Sequence, residues 1–185
     1  MTGKFIFITV CLGVAVLSYF FTHSKKDWGF LVGGLASTAL ADYFLVLHDN
    51  HLPGVAVFCF AHIFYILRVY KKPQAKYLAA SVGAIIFAFY TREALFSLGA
   101  TYAILFIFSI VVNIKSTQLP RANKAIVLTG LILFALCDIN VLLFNLPRQF
   151  GVGSFPWAFT LIWVFYLPAQ ALLAISSIAW SKPKE

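Results

Sequence analysis

Seven apolar runs take up nearly the whole chain, at 4–22, 28–47, 53–70, 76–91, 94–114, 123–145 and 156–180. Each is about long enough to cross a bilayer as a helix. A backbone inside hydrocarbon must satisfy its own N–H and C=O groups, which leaves helices and closed barrels as the spanning structures. Runs of this length without a two-residue alternation are helical. The sequence therefore predicts an all-α, polytopic membrane helical bundle of about seven transmembrane helices, forming one domain over 1–185. Short polar connections separate the runs: SKKD (24–27), HDNHLPG (48–54), KKPQAK (71–76), KSTQLPRANK (115–124) and NLPRQFGVGSFP (145–156). Composition agrees, with 62% hydrophobic residues, 11% charged and a mean hydropathy of +0.91. A soluble domain is nearer half apolar and a quarter charged.

The formal net charge is +8. On a soluble protein such charge would suggest nucleic acid. Here the cations sit between apolar runs and face lipid headgroups instead, so membrane lipids are expected partners and nucleic acid is not. If all seven runs cross, one side collects Lys25, Lys26, Arg68, Lys71, Lys72, Lys76, Lys115, Arg121, Lys124, Lys182 and Lys184. The other collects Lys4, Arg92 and Arg148. The positive-inside rule then puts the N-terminus outside and the C-terminus in the cytoplasm, in a plasma membrane or bacterial cell membrane. The opening stretch MTGKFIFITVCLGVAVLSYFF looks like a secretory leader. Its apolar run is long for one, and no small-x-small site follows before His23, so it reads as a retained first helix. Trp28, Trp157 and Trp180 near run ends read as interfacial anchors. Cys11, Cys59 and Cys137 each lie in an apolar run, and neither a CxxC nor a Cys/His cluster occurs, so neither disulfides nor zinc are expected.

A repeat runs through the chain. ALADYFLVL (39–47) and ALCDINVLL (135–143) carry Asp42 and Asp138 in matching frames. After each comes an outer loop and then a helix with a polar residue following Ala: His62 in CFAHIFYIL (59–67) and Gln170 in LPAQALLAI (167–175). Runs 2–3 and 6–7 thus match as two hairpins entering from the same side, a weak parallel repeat about an axis near the membrane normal.

The chain has six acids. Asp27, Asp49, Glu93 and Glu185 are read as loop or tail residues, whereas Asp42 and Asp138 fall inside runs. Counted from the outer ends of their helices, both lie roughly 8–10 Å deep. A carboxylate in hydrocarbon costs at least about 2.5–3.5 kcal/mol, so such residues face a protein interior or a wet cavity. Gly34, Ser37, Thr38 and Asp42 form a small and polar stripe at helical spacing. Gly130, Cys137, Asp138 and Asn145 fall near one another on run 6. His62 with Tyr65 and Trp163 with Tyr166 and Gln170 add polar faces on runs 3 and 7. The prediction is one pocket shared by four helices. Two carboxylates in low dielectric tend to differ in protonation, which supplies a general acid and a general base together. Asp42 and Asp138 are the catalytic candidates. His62, Tyr65, Thr38, Asn140, Tyr166 and Gln170 assist or bind substrate. The plainer alternatives are a buried Asp as a hydrogen-bonded packing device, His62 as a structural residue and Cys137 as a small packing residue. Metal binding by Asp42, His62 and Asp138 is specified by no spacing, and no cofactor is expected. GxSxG, HExxH, P-loop and GxGxxG motifs are all absent.

LASTALADYFLVL (35–47), FCFAHIFYILRVY (58–70), LILFALCDINVLL (131–143) and WVFYLPAQALLAIS (163–176) together resemble the YhhN family of lysoplasmalogenase-like membrane proteins, from Gly33 to about Ile178. Family members usually have eight spans, Gly before the first Asp, and Lys-Pro at the start of the second span. This chain reads as seven, with Ala41 before Asp42 and Lys4 without a proline. The resemblance implies hydrolysis of the vinyl ether bond of a lysophospholipid, the lysoplasmalogen. The pocket read from the residues suits that chemistry, with one of Asp42 and Asp138 as the acid and the other as the base that activates water. A small-molecule or lipid transporter, using the paired acids as a proton relay, is the competing class. A receptor or scaffold is suggested only by the count of spans.

Overall fold

In the computed structural model the backbone of residues 2–70, 75–151, 153 and 155–180 is described. Seven α-helices follow one another: α1 (Thr2–Leu17), α2 (Lys25–Asp42), α3 (His51–Val69), α4 (Ala75–Phe89), α5 (Ala94–Lys115), α6 (Arg121–Phe150) and α7 (Pro156–Ile175). A 3₁₀ turn (Ser18–Phe21) extends α1, and a π-helical turn (Tyr43–Leu47) extends α2. The α2–π segment, α3, α5, α6 and α7 are each long and apolar enough to cross a membrane, while α1 and α4 are shorter apolar helices. Phe20, Phe87, Phe96, Ile104 and Ile107 are exposed on the bundle's outside, where lipid is the solvent such apolar side chains require. The fold is a helical membrane bundle.

Local chemistry sets the helix ends. Ser24 caps α2, its hydroxyl accepting from the Asp27 N–H, and Asp27 lies in the first turn, where the helix dipole favours an anion. Pro156 opens α7, where a missing N–H costs nothing. Pro168 inside α7 removes one rung of the helical ladder. The cation-bearing ends meet at one end of the bundle, here called the basic end. There the Lys26 ammonium donates to the Tyr70 carbonyl at 2.9 Å, and Lys124 donates to the carbonyls of Ile114 at 2.5 Å and Ser116 at 2.8 Å. Thr22 and Ile178 form an isolated antiparallel bridge at the same end.

The hairpin repeat is present in three dimensions and extends well past the two aspartates. Leu31 matches Val127 and Leu35 matches Leu131, and all four are buried. Gly34 matches Gly130. A Cβ on Gly34 would stand 2.8 Å from the Tyr65 ring, and one on Gly130 would stand 3.0 Å from the Leu173 side chain. Tyr65 and Leu173 are themselves repeat partners, as are Ala61 with Ala169 and His62 with Gln170, and all six are fully buried. Each hairpin is thus closed by a glycine on its first helix receiving a large side chain from its second, which allows close helix approach in a membrane. At the basic end Asp27 matches Asn123 and Arg68 matches Ser176. The first pair is ionic: Arg68 donates from Nε and Nη2 to the two Asp27 carboxylate oxygens at 2.8 and 2.9 Å. The second is neutral, with the Asn123 amide donating to the Ser176 carbonyl at 2.8 Å. Arg68 Nη1 joins the two pairs by donating to Ser176 Oγ at 3.0 Å.

Several expectations are corrected. Asp27 is a buried member of α2, not a loop residue, because its carboxylate is held by Arg68 across the hairpin. Arg68 likewise is a buried bridging group rather than a headgroup contact. Run 6 continues beyond 145 as helix to Phe150, shortening the expected outer loop. Lys71, Lys72, Lys182, Lys184 and Glu185 lie outside the described residues.

Candidate functional site

Helix α2 ends its regular course at Asp42, whose side chain is 5% exposed. The following turn, Tyr43–Leu47, is π-helical, and the Asn50 N–H reaches back to the Phe44 carbonyl at 2.9 Å. Single π turns are common where a helix presents a functional group. Tyr166 of α7 crosses to α2 and donates its hydroxyl to Asp42 Oδ2 at 2.5 Å. Thr38, one turn before Asp42, is fully buried and donates to the Gly34 carbonyl at 3.1 Å. Asp138, on α6, is half-buried and accepts a short hydrogen bond at Oδ2 from the hydroxyl of Tyr102 on α5.

Cys137 neighbours both carboxylates. It is buried and free, and it is close enough to both Asp42 and Asp138 to interact electrostatically with each. No hydrogen bond or ion pair joins Asp42 to Asp138. Each carboxylate has its own tyrosine hydroxyl, Tyr166 for Asp42 and Tyr102 for Asp138.

The other candidates divide. His62 is fully buried and stacks on Phe106 with centroids 4.1 Å apart. Its ring also lies 5.0 Å from that of Tyr102. Its Nδ1 pairs with Ser109 Oγ at 3.4 Å, so it supports Tyr102 rather than touching a carboxylate. Tyr65 fills the space over Gly34 and lies near Tyr166. Gln170, one turn beyond Tyr166, is fully buried with no protein hydrogen-bond partner for either amide atom. Two asparagines bond within their own helix. Asn140 is about 200° round α6 from Asp138, and it donates to the Leu136 carbonyl of its own helix at 2.7 Å. Asn145 donates to the Val141 carbonyl, also of α6, at 2.8 Å. Neither joins the carboxylates.

Tyr102 is the residue that sequence reasoning missed. Its trace was a stripe of Tyr102, Phe106, Ser109 and Asn113 at helical spacing in a run without acids. An aromatic wall encloses the site: Phe134 meets Phe58, Phe106 and Tyr166 at centroid distances of 5.8, 5.4 and 5.4 Å. On the outer face of α7, Phe159, Thr160, Trp163, Val164 and Leu167 line an open groove of about 300 Å³. Trp163 at its edge meets the Tyr166 ring edge-on at 5.9 Å. Among the described residues, no three His, Cys, Asp or Glu side chains gather as a metal site.

A polytopic helical bundle holding two tyrosine-bound carboxylates among apolar helices defines a class of integral membrane protein with an intramembrane polar centre. Within that class, the chain belongs to the YhhN family, whose model matches residues 4–177. No curated protein and no solved structure matches it.

Proposed function

We propose that this chain is a membrane-embedded hydrolase that cleaves the vinyl ether bond of lysoplasmalogens. The substrate is an alkenyl-glycerophosphoethanolamine or -choline, and the products are a fatty aldehyde and the glycerophospho-headgroup. The observation that carries the reading is the pair of carboxylates inside the bundle, each oriented by its own tyrosine hydroxyl. Membership of the YhhN family supports it.

Vinyl ether hydrolysis asks for little beyond those two groups. One aspartic acid protonates the β-carbon of the alkenyl chain, leaving an oxocarbenium ion on the ether carbon. The other carboxylate takes a proton from water as the water oxygen bonds to that carbon. The hemiacetal hydroxyl then loses its proton, the bond to the glycerol oxygen breaks, and the glycerol oxygen leaves protonated. One protonated and one ionised carboxyl within the same bundle supply the acid and the base that this catalysis needs. Tyr166 orients Asp42. Thr38, Tyr65 and Gln170 bind polar substrate atoms or water, and His62 braces the cluster. The alkenyl chain lies among apolar helix faces and approaches from lipid along the groove beside Trp163. The headgroup points to the end of the bundle opposite the basic end, which faces the outside when the C-terminus is cytoplasmic.

The test is aldehyde release from a lysoplasmalogen by the purified chain, compared with Asp42→Asn and Asp138→Asn. Release that disappears in both variants is the expected result. Full activity in either variant sinks the two-carboxylate mechanism. Proton-coupled uptake into vesicles without product would replace the hydrolase with the transporter.

A further inference from the structure

The contact that holds Asp42 has no counterpart of its own kind in the repeat. With Gly34 set on Gly130, Asp42 on Asp138 and His62 on Gln170, Tyr166 of α7 has Phe58 of α3 as its partner. Both rings are buried, and both meet Phe134, at 5.4 Å from Tyr166 and 5.8 Å from Phe58. Tyr166 crosses from the second hairpin to give its hydroxyl to Asp42 in the first. Phe58, at the matched place in the first hairpin, packs on Phe134 of α6, the helix that carries Asp138, and a phenylalanine has no hydroxyl to give. The hydroxyl comes from elsewhere. Tyr102 belongs to α5, outside both hairpins. It packs on Phe58 with centroids 6.0 Å apart and donates to Asp138 Oδ2. The rings of His62 and Phe106, 5.0 and 5.9 Å away, hold it from the other sides.

We propose that Tyr102 supplies the hydroxyl that the repeat lacks at Phe58, and is thereby the positioning residue for Asp138 as Tyr166 is for Asp42. The role in turnover rests on the hydrolase reading. The hold on the carboxyl does not. A phenyl ring alone would serve packing against Phe58, His62 and Phe106, so the hydroxyl is the part of Tyr102 that the proposal concerns.

The experiment uses the full chain in lipid nanodiscs and three variants: Tyr102→Phe, Phe58→Tyr, and the two combined. The infrared carboxyl band of Asp138, assigned by its loss in Asp138→Asn, is read without substrate. Aldehyde release is read in parallel. Tyr102→Phe shifts the band and lowers kcat on the order of tenfold to a hundredfold, the range of a hydrogen bond to a charged group, with KM little changed. The double variant returns both toward the starting values, because Phe58→Tyr restores a hydroxyl from the symmetric position. An unmoved band together with unchanged kcat in Tyr102→Phe overturns the proposal. So does a double variant that melts like the parent yet restores neither. If the double variant does not fold, Tyr102→Phe alone decides. A shifted band in a chain that releases no aldehyde under any condition upholds the hold on Asp138 and removes the hydrolase reading.

Discussion

In the α2–α3 hairpin a glycine receives a tyrosine ring and an ion pair closes the basic end. In the α6–α7 hairpin the matching glycine receives a leucine, and an asparagine amide closes that end. Burial agrees along the seam, at Leu31 and Val127, Leu35 and Leu131, Ala61 and Ala169, while Asp42 is buried and Asp138 half-buried, and the polar chemistry differs at most matched sites. Helix α2 breaks into a π turn immediately after its aspartate, whereas α6 continues as helix past Asp138. Proline interrupts α7 near Tyr166, and the matched α3 has none there. What the two halves share is therefore a packing frame. What distinguishes them is how each carboxylate is held and reached, as expected of a site whose two acids do different work.

The largest test of that comparison is the carboxylates themselves. Asp42→Asn and Asp138→Asn each lower the rate of aldehyde release by at least about 10²-fold, the lower range for a general acid or base. Unequal pH dependence of the residual rates would show which half supplies the acid. Next is the basic end. Arg68→Met leaves the buried Asp27 carboxylate with only the His23 imidazole, 3.8 Å away, as a basic neighbour, and costs about 3–5 kcal/mol of stability. This is measured as a lowered melting temperature in detergent. In the second hairpin Asn123→Leu strips donors from the Ser176 and Ile178 carbonyls and costs less, about 1–3 kcal/mol. If the two variants destabilise equally, the ionic and neutral closures are interchangeable.

The smallest effects come from the glycines. Gly34→Ala presses a methyl onto the rigid, fully buried Tyr65 ring, a clash worth about 1–3 kcal/mol that outweighs the roughly 1 kcal/mol gained in helix propensity. Gly130→Ala meets the Leu173 side chain at 3.0 Å and the Ala169 carbonyl at 3.3 Å, looser than the 2.8 Å at Gly34, and is milder. Gly99→Ala, with open space at its Cβ, leaves melting unchanged or slightly raises it. Thermal unfolding of the three variants ranks them, and a Gly34→Ala chain that melts above the parent would refute the tight contact.

The bundle and the repeat were legible because both rest on periodicity: apolar length fixes spans, and Asp42, Asp138, His62 and Gln170 fall at matched places along them. Tyr166 was legible for the same reason. Asp27 was not, since its position in SKKD looks like a solvated charge run and its partner Arg68 lies on another helix. Pairing between helices leaves no mark in local spacing. Asn140 misled because closeness in sequence to Asp138 is not closeness in azimuth on a helix. Asn145 shares Asp138's azimuth within about 20° but lies two turns further along and bonds its own helix. Tyr102 escaped because it donates to an acid on a different helix and has no acid on its own.

The π turn behind Asp42 has a consequence for the loop that follows it. A π turn carries one residue more than an α turn, so the chain leaves it rotated by about 100° relative to a continuous helix. It acts as a slip joint between the carboxylate and residues 48–50. A residue inserted or removed in that loop can be absorbed by tightening or relaxing Tyr43–Leu47, and Asp42, fixed from behind by Tyr166 and the α2 frame, keeps its aim.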